Sequence, residues 1–381
     1  MQNSFTSSKF KLGILGGGQL GRMFIQESVN YNLDVHILDP DPNAPCKNIA
    51  TTFQNGDLKD FDAVYNFGKD KDLITIEIEH VNTDALQKLE DEGIKVFPQP
   101  SILKMIQDKG LQKEFYAKHQ IPTSDYYLVE DKAGIQQYVD EFPFMQKMRK
   151  GGYDGKGVTP LKDPAQLDNA FDAPSVLEKF VDFDKEISVI VARNENGEVK
   201  SYPVVELEFD PVANLVDFLF APANVAKEIE AKAREIAENL VEKTQIVGLL
   251  AVEMFVTKDG QVLVNEIAPR THNSGHQSIE GNVTSQFEQH MRSVLNLPLG
   301  DTRMVEPSVM VNLLGEQGYD GEAKYEGLKE VLEMPGVHIH LYGKKFTRPY
   351  RKMGHVTIGA ETLETAKEIA LKVKNTLKVI A

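Results

Sequence analysis

Residues 248 to 276 restrict the fold and the chemistry of this 381-residue chain more than any other stretch. Two apolar runs, Gly248 to Val256 (GLLAVEMFV) and Gln261 to Ile267 (QVLVNEI), flank Asp259-Gly260, a dipeptide that favours a two-residue type I′ hairpin turn. In a hairpin closed at those two residues Glu253 and Glu266 stand directly opposite on one face, with Cβ atoms roughly 5 Å apart. Two bare carboxylates at that distance repel by about 3 kcal/mol at an effective dielectric of about 20. A hard cation with oxygen ligands, Mg²⁺ above all, relieves that repulsion. A register slip of one residue would instead turn both acids to a solvated face, because Val252, Val262, Val264 and Ile267 do not fix the inward side. Beyond Pro269, however, Arg270, His272, Asn273 and Ser274 crowd a short segment with a bidentate anion fork, an imidazole and two neutral hydrogen-bonding groups. That concentration reads as an active site.

The chain opens as a βαβ unit: Lys11 to Leu15 is a short apolar strand, GGGQLGRM follows from Gly16, a helix runs to about Tyr31, and Asp34 to Leu38 is a second strand ending at Asp39. Gly16, Gly18 and Gly21 have the G-x-G-x-x-G spacing and Asp39 lies about 20 residues on, as in dinucleotide-binding turns. Such a turn shows only that a helix N-terminus lets something approach its backbone closely. A strand from Leu73 leads to Glu79, a helix covers about Asn82 to Leu89, and Ser101 is read as the cap of the next helical region, which carries Asp108, Lys109 and Lys113. The strand Phe144 to Arg149 runs into Gly151-Gly152-Tyr153-Asp154-Gly155-Lys156-Gly157, a loop able to lay backbone N–H groups and a cation over polyphosphate, or to serve as a flexible hairpin. Ala223 to Thr244 has helical periodicity with many Glu and Lys residues, read as a solvated outer face. Near the end, Lys344, Lys345, Arg348, Arg351 and Lys352 put five cations within nine residues. In a chain of net charge -15 such a cluster reads as an anion site.

The same charge argues against nucleic acid or an anionic membrane as the main partner. A single cysteine, Cys46, excludes an intrachain disulfide framework and fits a reducing cytoplasm. No uncharged run approaches the roughly 20 residues of a membrane span, and no signal peptide is expected.

Five stretches in order, GGGQLGRM at Gly16, EIEHV at Glu77, GGYDGKG at Gly151, NEIAPRTHNSGH at Asn265 and GKKFTRPYRKMGHV at Gly343, resemble the ATP-grasp enzymes, and among them the carboxyaminoimidazole ribonucleotide synthase family of purine biosynthesis. The resemblance implies an α/β architecture of three parts: a Rossmann-like pre-ATP-grasp domain (1–100), a two-lobed ATP-grasp domain (101–300) and a small β-rich C-terminal domain (301–381). It implies a homodimeric, ATP- and Mg²⁺-dependent carbon–nitrogen ligase. Bicarbonate would be phosphorylated to carboxyphosphate, then transferred to the amine of aminoimidazole ribonucleotide, because bicarbonate is a poor electrophile until its oxygen becomes a leaving group.

Residue by residue, it implies ATP-phosphate contacts from Lys109 and Lys147 and a covering loop made of Gly152, Tyr153, Asp154, Gly155, Lys156, Gly157 and Val158. Glu178, Lys179, Phe180 and Val181 match the adenine-binding strand, Glu186 the acid on the ribose hydroxyls, and Glu253 and Glu266 the Mg²⁺ ligands with Asn265 beside them. Tyr153, Asp154, Lys156, Arg270 and His272 would carry the chemistry, with Asn273 and Ser274 around the substrates. Gln19, Leu20 and Glu79 would meet the ribonucleotide, and Lys344, Arg351 and Lys352 its 5′-phosphate. Phe209 stands where the family often has a histidine, and Ala268 where many ATP-grasp enzymes have an asparagine ligand. Three other readings compete. A nicotinamide oxidoreductase rests on the first glycine turn and Asp39 alone. A formate-using glycinamide ribonucleotide transformylase shares the superfamily, and a nucleotide-binding regulator would lack turnover.

Overall fold

The computed structural model describes residues 4–152, 157–210 and 215–381. Its first unit is a five-stranded parallel sheet in the order β3-β2-β1-β4-β5, from β1 (Lys11–Leu15), β2 (Asp34–Asp39), β3 (Thr52–Asn55), β4 (Leu73–Ile76) and β5 (Lys95–Val96). The central strands KLGIL and LITI are nearly uninterrupted apolar runs because both faces are covered, as parallel sheets require. Helices α1 (Gln19–Val29), α2 (Phe61–Gly68), α3 (Thr83–Asp91) and α4 (Pro100–Ile106) connect and follow the strands. Asp60 and Asn82 cap α2 and α3 through their side chains. Ser101 is no cap: α4 already starts at Pro100, which suits a first helical position because it lacks an N–H to satisfy.

Helix α5 (Lys109–His119), capped by Asp108, leads to a small antiparallel sheet of order β6-β9-β7-β8, from β6 (Tyr126–Val129), β7 (Phe144–Met148), β8 (Val158–Leu161) and β9 (Ser175–Lys179). Next comes the large antiparallel sheet. Its strands in chain order are β10 (Phe183–Arg193), β11 (Val199–Ser201), β12 (Val205–Phe209), β13 (Val216–Ala221), β14 (Gly248–Thr257), β15 (Val262–Ala268) and β16 (Ser308–Leu314). Two ribbons involve β17 (Gly321–Glu322), β18 (Lys324–Glu326), β20 (Phe346–Thr347) and β22 (Lys378–Ile380), while β19 (Val337–Leu341) and β21 (Lys352–Gly359) rejoin the large sheet. Its order is β15-β14-β10-β12-β13-β16-β21-β19, so one hydrogen-bonded surface crosses residue 300.

Helix α6 (Lys227–Thr244) is more than a solvated face. Ala233, Ile236, Ala237, Leu240 and Val241 recur at helical spacing and are buried against β10, β14 and β15. Glu and Lys residues cover only its outer side. The short α7 (Ser278–Gly281) precedes α8 (Gln286–Val294), whose Phe287, Met291 and Val294 join the core beneath the first sheet. Helices α9 (Leu328–Leu332) and α10 (Leu363–Thr376) back the C-terminal strands.

The hairpin β14–β15 departs from the two-residue turn. Thr257 N–H donates to the Gln261 carbonyl at 2.9 Å, which leaves Lys258, Asp259 and Gly260 as a three-residue loop, with Gly260 at φ 84°. Loops of this length place a residue, usually Gly, in the left-handed region. The pairing therefore starts one residue out of the expected register, and a bulge between Glu253 and Met254 restores it. Glu253 faces Glu266 after all, with Asn265 as the extra residue.

Candidate active site

Ser188 on β10 pairs with Glu253 on β14, which pairs with Glu266 on β15, so three adjacent strands present these positions in one row. Burial, the facing Glu266 and the nearby Glu186 push the Glu253 carboxyl up to about 8. Burial is the largest of these causes, and the carboxylate repulsion the sequence implied adds to it. Among the described residues no group of three or more His, Cys, Asp or Glu side chains forms a ready metal cage. Two carboxylates beside the Asn265 amide oxygen are nevertheless all-oxygen donors, the set a hard divalent cation takes when further oxygens come from its substrate.

Cations line this row. Lys109 Nζ lies 3.3 Å from Glu266 Oε1, and Lys147 Nζ donates to Asn265 Oδ1 at 3.0 Å. Lys147 also pairs with Glu178 at 2.8 Å, and Lys113 pairs with the other oxygen of Glu178 at 3.1 Å. The Glu178 side chain thus lies between two lysines, which outweigh its burial and hold it below the usual carboxylate range. Strand β9 ends at Lys179, whose ammonium reaches Glu141 at 2.7 Å; the half-exposed Phe180 and then Val181 follow on the way to β10. Burial, partly offset by Lys147, raises the Glu186 carboxyl to about 7.

The first sheet brings its own groups to this row. Strand order reverses between β1 and β4, and in such sheets ligands bind outside the carboxyl ends of the strands at that point. Glu79, just past β4, makes a two-pronged ion pair with Arg270 at 2.5 and 3.2 Å. Arg270 outweighs burial and brings the Glu79 carboxyl down to about 2. Gln19 Oε1, at the start of α1, accepts from Lys344 Nζ at 2.9 Å, and Lys344 also donates to the Lys352 carbonyl. Lys352 lies close enough to act electrostatically on Glu253 and His272. Arg351 is half-buried and donates to the Phe346 carbonyl at 2.6 Å, and Leu20 is buried in the core beneath the turn.

His272 is kept neutral. Burial above all, with Arg270 and Lys352 adding to it, lowers its imidazole to about 3. Its Nδ1 accepts from the Ser274 N–H at 3.3 Å, which leaves the proton on Nε2, 3.7 Å from Glu253 Oε1. Ser274 is buried, its hydroxyl bridging Ser188 and His272 at 2.9 Å each. Asn273 exchanges two amide hydrogen bonds with Asn312 on β16. Both therefore act on the segment's shape through protein contacts.

A narrow cleft joins the regions, lined by Glu79, Lys109, Arg149, Gly152 and Glu266 among others. The expected loop residues Tyr153, Asp154, Gly155 and Lys156 lie outside the described residues. Gly157 at φ 74° and Val158 at the start of β8 are described, with the Gly157 carbonyl accepting from Met148 N–H.

Several contributors escaped the sequence reading. Lys113 was visible four residues after Lys109, a spacing that shares a helix face, but its burial was not. Asp108 and Arg149 form a bidentate pair at 2.8 and 3.0 Å that fastens the end of β7 to the start of α5. Gln286 holds both the N–H and the carbonyl of His272. In the first glycine turn the N–H groups of Gly17, Gly18 and Leu20 go to Asp39 and Glu77, so the site a dinucleotide pyrophosphate would use is filled by the chain itself.

Comparisons with known proteins agree with this layout. Residues 9–107 match a ribonucleotide synthetase preATP-grasp domain, 114–287 an ATP-grasp domain, and 308–369 a phosphoribosylaminoimidazole carboxylase C-terminal domain. The N5-carboxyaminoimidazole ribonucleotide synthase of Bacillus subtilis is 38% identical over 353 residues, covering 91% of this chain and 90% of that protein. A chloroplastic phosphoribosylaminoimidazole carboxylase of Vigna aconitifolia is 39% identical over 363 residues, and the match spans 93% of this chain but only 65% of the plant protein. Among solved structures, the N5-carboxyaminoimidazole ribonucleotide synthetase of Thermotoga maritima is 46% identical with a TM-score of 0.90, over 98% of this chain and 99% of that one. The synthase of Aspergillus clavatus, solved with ADP and 5-aminoimidazole ribonucleotide, is 34% identical with a TM-score of 0.88, over 98% and 99%.

Proposed function

Since the chain belongs to the N5-carboxyaminoimidazole ribonucleotide synthase family of ATP-grasp proteins, we propose that it carboxylates 5-aminoimidazole ribonucleotide with bicarbonate at the expense of ATP. The observation that carries this reading is the Glu79–Arg270 ion pair, which holds the crevice of the parallel sheet against the carboxylate row of the large sheet. A ribonucleotide in the first and a nucleoside triphosphate on the second would meet at Arg270.

A bicarbonate oxygen attacks the γ-phosphorus, ADP leaves, and carboxyphosphate results. The amine nitrogen then attacks the carboxyl carbon, its proton is lost, and phosphate leaves with the electron pair of the broken C–O bond. Lys109 and Lys147 neutralise phosphate charge, and Arg270, whose Nε–Nη2 edge is held by Glu79, sets its positive charge beside the bicarbonate or carboxyphosphate anion. Neutral His272 serves as an Nε2–H donor there, because an imidazole held near 3 is a weak base. Glu253 and Glu266, with Asn265 beside them, would hold Mg²⁺, which supplies charge neutralisation at the phosphates when bound. Lys344, Arg351 and Lys352 would take the 5′-phosphate, with Gln19 beside Lys344. The reading includes a homodimer, as the resemblance implies, and a cytoplasmic, reducing compartment, supported by the buried unpaired thiol of Cys46.

The test is ADP release by the purified protein with Mg²⁺-ATP and bicarbonate, with and without 5-aminoimidazole ribonucleotide. Stimulation by the ribonucleotide is expected. ADP formed only with glycinamide ribonucleotide and formate would move the protein to another ATP-grasp reaction, and no ADP with either pair would overturn the enzymatic reading.

A further inference from the structure

Glu77 has no place in the chemistry above, yet the glycine turn is built around it. Its two carboxylate oxygens accept separately, Oε2 from Gly18 N–H at 2.9 Å and Oε1 from Leu20 N–H at 3.1 Å. Asp39 Oδ2 takes the remaining Gly17 N–H at 2.6 Å. A Cβ at position 16 would come within 2.6 Å of Glu77 Oε2, and one at position 18 within 2.5 Å of Oε1. Real Cβ atoms do not approach so closely, so these glycines make room for a protein carboxylate. Glu77 also sits at the positive end of α1, which with the two N–H groups favours its charged form against the burial and the nearby Asp39 that raise its carboxyl. Gln19 stands between the two residues whose amides it holds, and the Gln19 side chain reaches Lys344.

We propose that Glu77 is a positioning residue for the ribonucleotide. It occupies the anion nest of the first sheet and fixes the turn so that Gln19 faces the ligand beside Lys344, which leaves the ligand's phosphate to the cations of 344–352. The ligand's identity rests on the function proposed above; the internal anion and its hold on the turn do not.

Glu77→Gln keeps the size but replaces one acceptor by an NH₂ that faces an N–H donor. The KM for 5-aminoimidazole ribonucleotide should rise about tenfold, as loss of one hydrogen bond from a displaced Gln19 to the ligand would give, while the KM for ATP stays within about twofold. Combined with Gln19→Ala, the variant should add little to the KM increase of Gln19→Ala alone, since both act through one side chain. Amide hydrogen exchange at Gly18 and Leu20 should accelerate in Glu77→Gln. Equal KM increases for both substrates, additive penalties, or unchanged exchange at those amides would each overturn the role. If Glu77→Gln does not fold, Gly18→Ala, which drives a methyl into the carboxylate, must show the same KM split. Should wild-type protein give no ADP with the ribonucleotide, the function falls, and exchange at Gly18 and Leu20 alone decides whether Glu77 holds the turn.

Discussion

At the scale of single residues, Glu253 shows how a binding site costs stability until it is filled. Its carboxyl rises from 4.5 to about 8, so the fold favours the protonated form and ionisation penalises the native state. The penalty is absent below about pH 4.5 and complete above about pH 8. Glu253→Gln should therefore stabilise the cation-free protein by roughly 3–5 kcal/mol above pH 8, and by almost nothing at pH 4.5. The same variant should lose the rise in melting temperature that Mg²⁺ gives wild type. Urea melts at the two pH values, with and without Mg²⁺, check this; an equal gain at both pH values would show that ionisation of Glu253 is not what costs the fold stability. That Glu253 would face Glu266 was legible because an Asp-Gly turn between two apolar runs says which positions oppose, whereas the placement of Lys109 and Lys147 beside that row was implied only by the resemblance. The Glu178 pairing with Lys113 was not, because which side of β9 faces α5 depends on packing between segments far apart in sequence.

Elements tell a similar story through the contacts that join them. The β14–β15 hairpin was read with Glu253 rightly opposite Glu266 but with the wrong turn and the wrong partners next to it: Asp-Gly suits two-residue and three-residue loops alike, and the Thr257 hydroxyl, accepting from Gln261 N–H at 2.8 Å, supports the longer one. A bulge at Asn265 cancels the offset, and no periodicity announces a bulge. Helix α8 is bonded to the parallel sheet through His290, whose Nε2 lies 2.9 Å from Thr75 Oγ1 on β4, a join that no local pattern reveals. Burial lowers His290 from 6.5 to about 4, so the unfolded chain binds its proton first as pH falls. The stability this neutral imidazole supports is complete above pH 6.5 and is lost between 6.5 and about 4. The advantage of wild type over His290→Gln should therefore shrink by about 2–3 kcal/mol between pH 7.5 and 4.5. Chemical denaturation at both pH values reads the gap, and a constant gap would mean that His290 does not titrate between folded and unfolded states.

The whole molecule depends on joins that no local pattern reveals. An α/β start, the strand leading into the glycine run and a basic end were each readable, because a strand and a charge cluster are local signals. That β13 lies beside β16, with most of a hundred residues between them, was not, since strand order is set by which edges remain open once β10, β12 and β14 have paired. The consequence is that residues beyond 300 belong to the same sheet as the carboxylate row and deliver Lys344 and Lys352 to it. Phe220 on β13 is buried in one core with Val309, Val311, Val356 and Ile358. Removing 301–381 would uncover that core and leave β13 as an open apolar edge, a template for pairing with other chains. The fragment 1–300 should therefore elute as aggregate in size-exclusion chromatography under conditions where the full chain elutes as a compact species. If it instead ran as a compact species with a sharp thermal transition, the sheet would be dispensable to the fold beyond β13, and the basic segment would have to be regarded as an attachment to the site and not part of its framework.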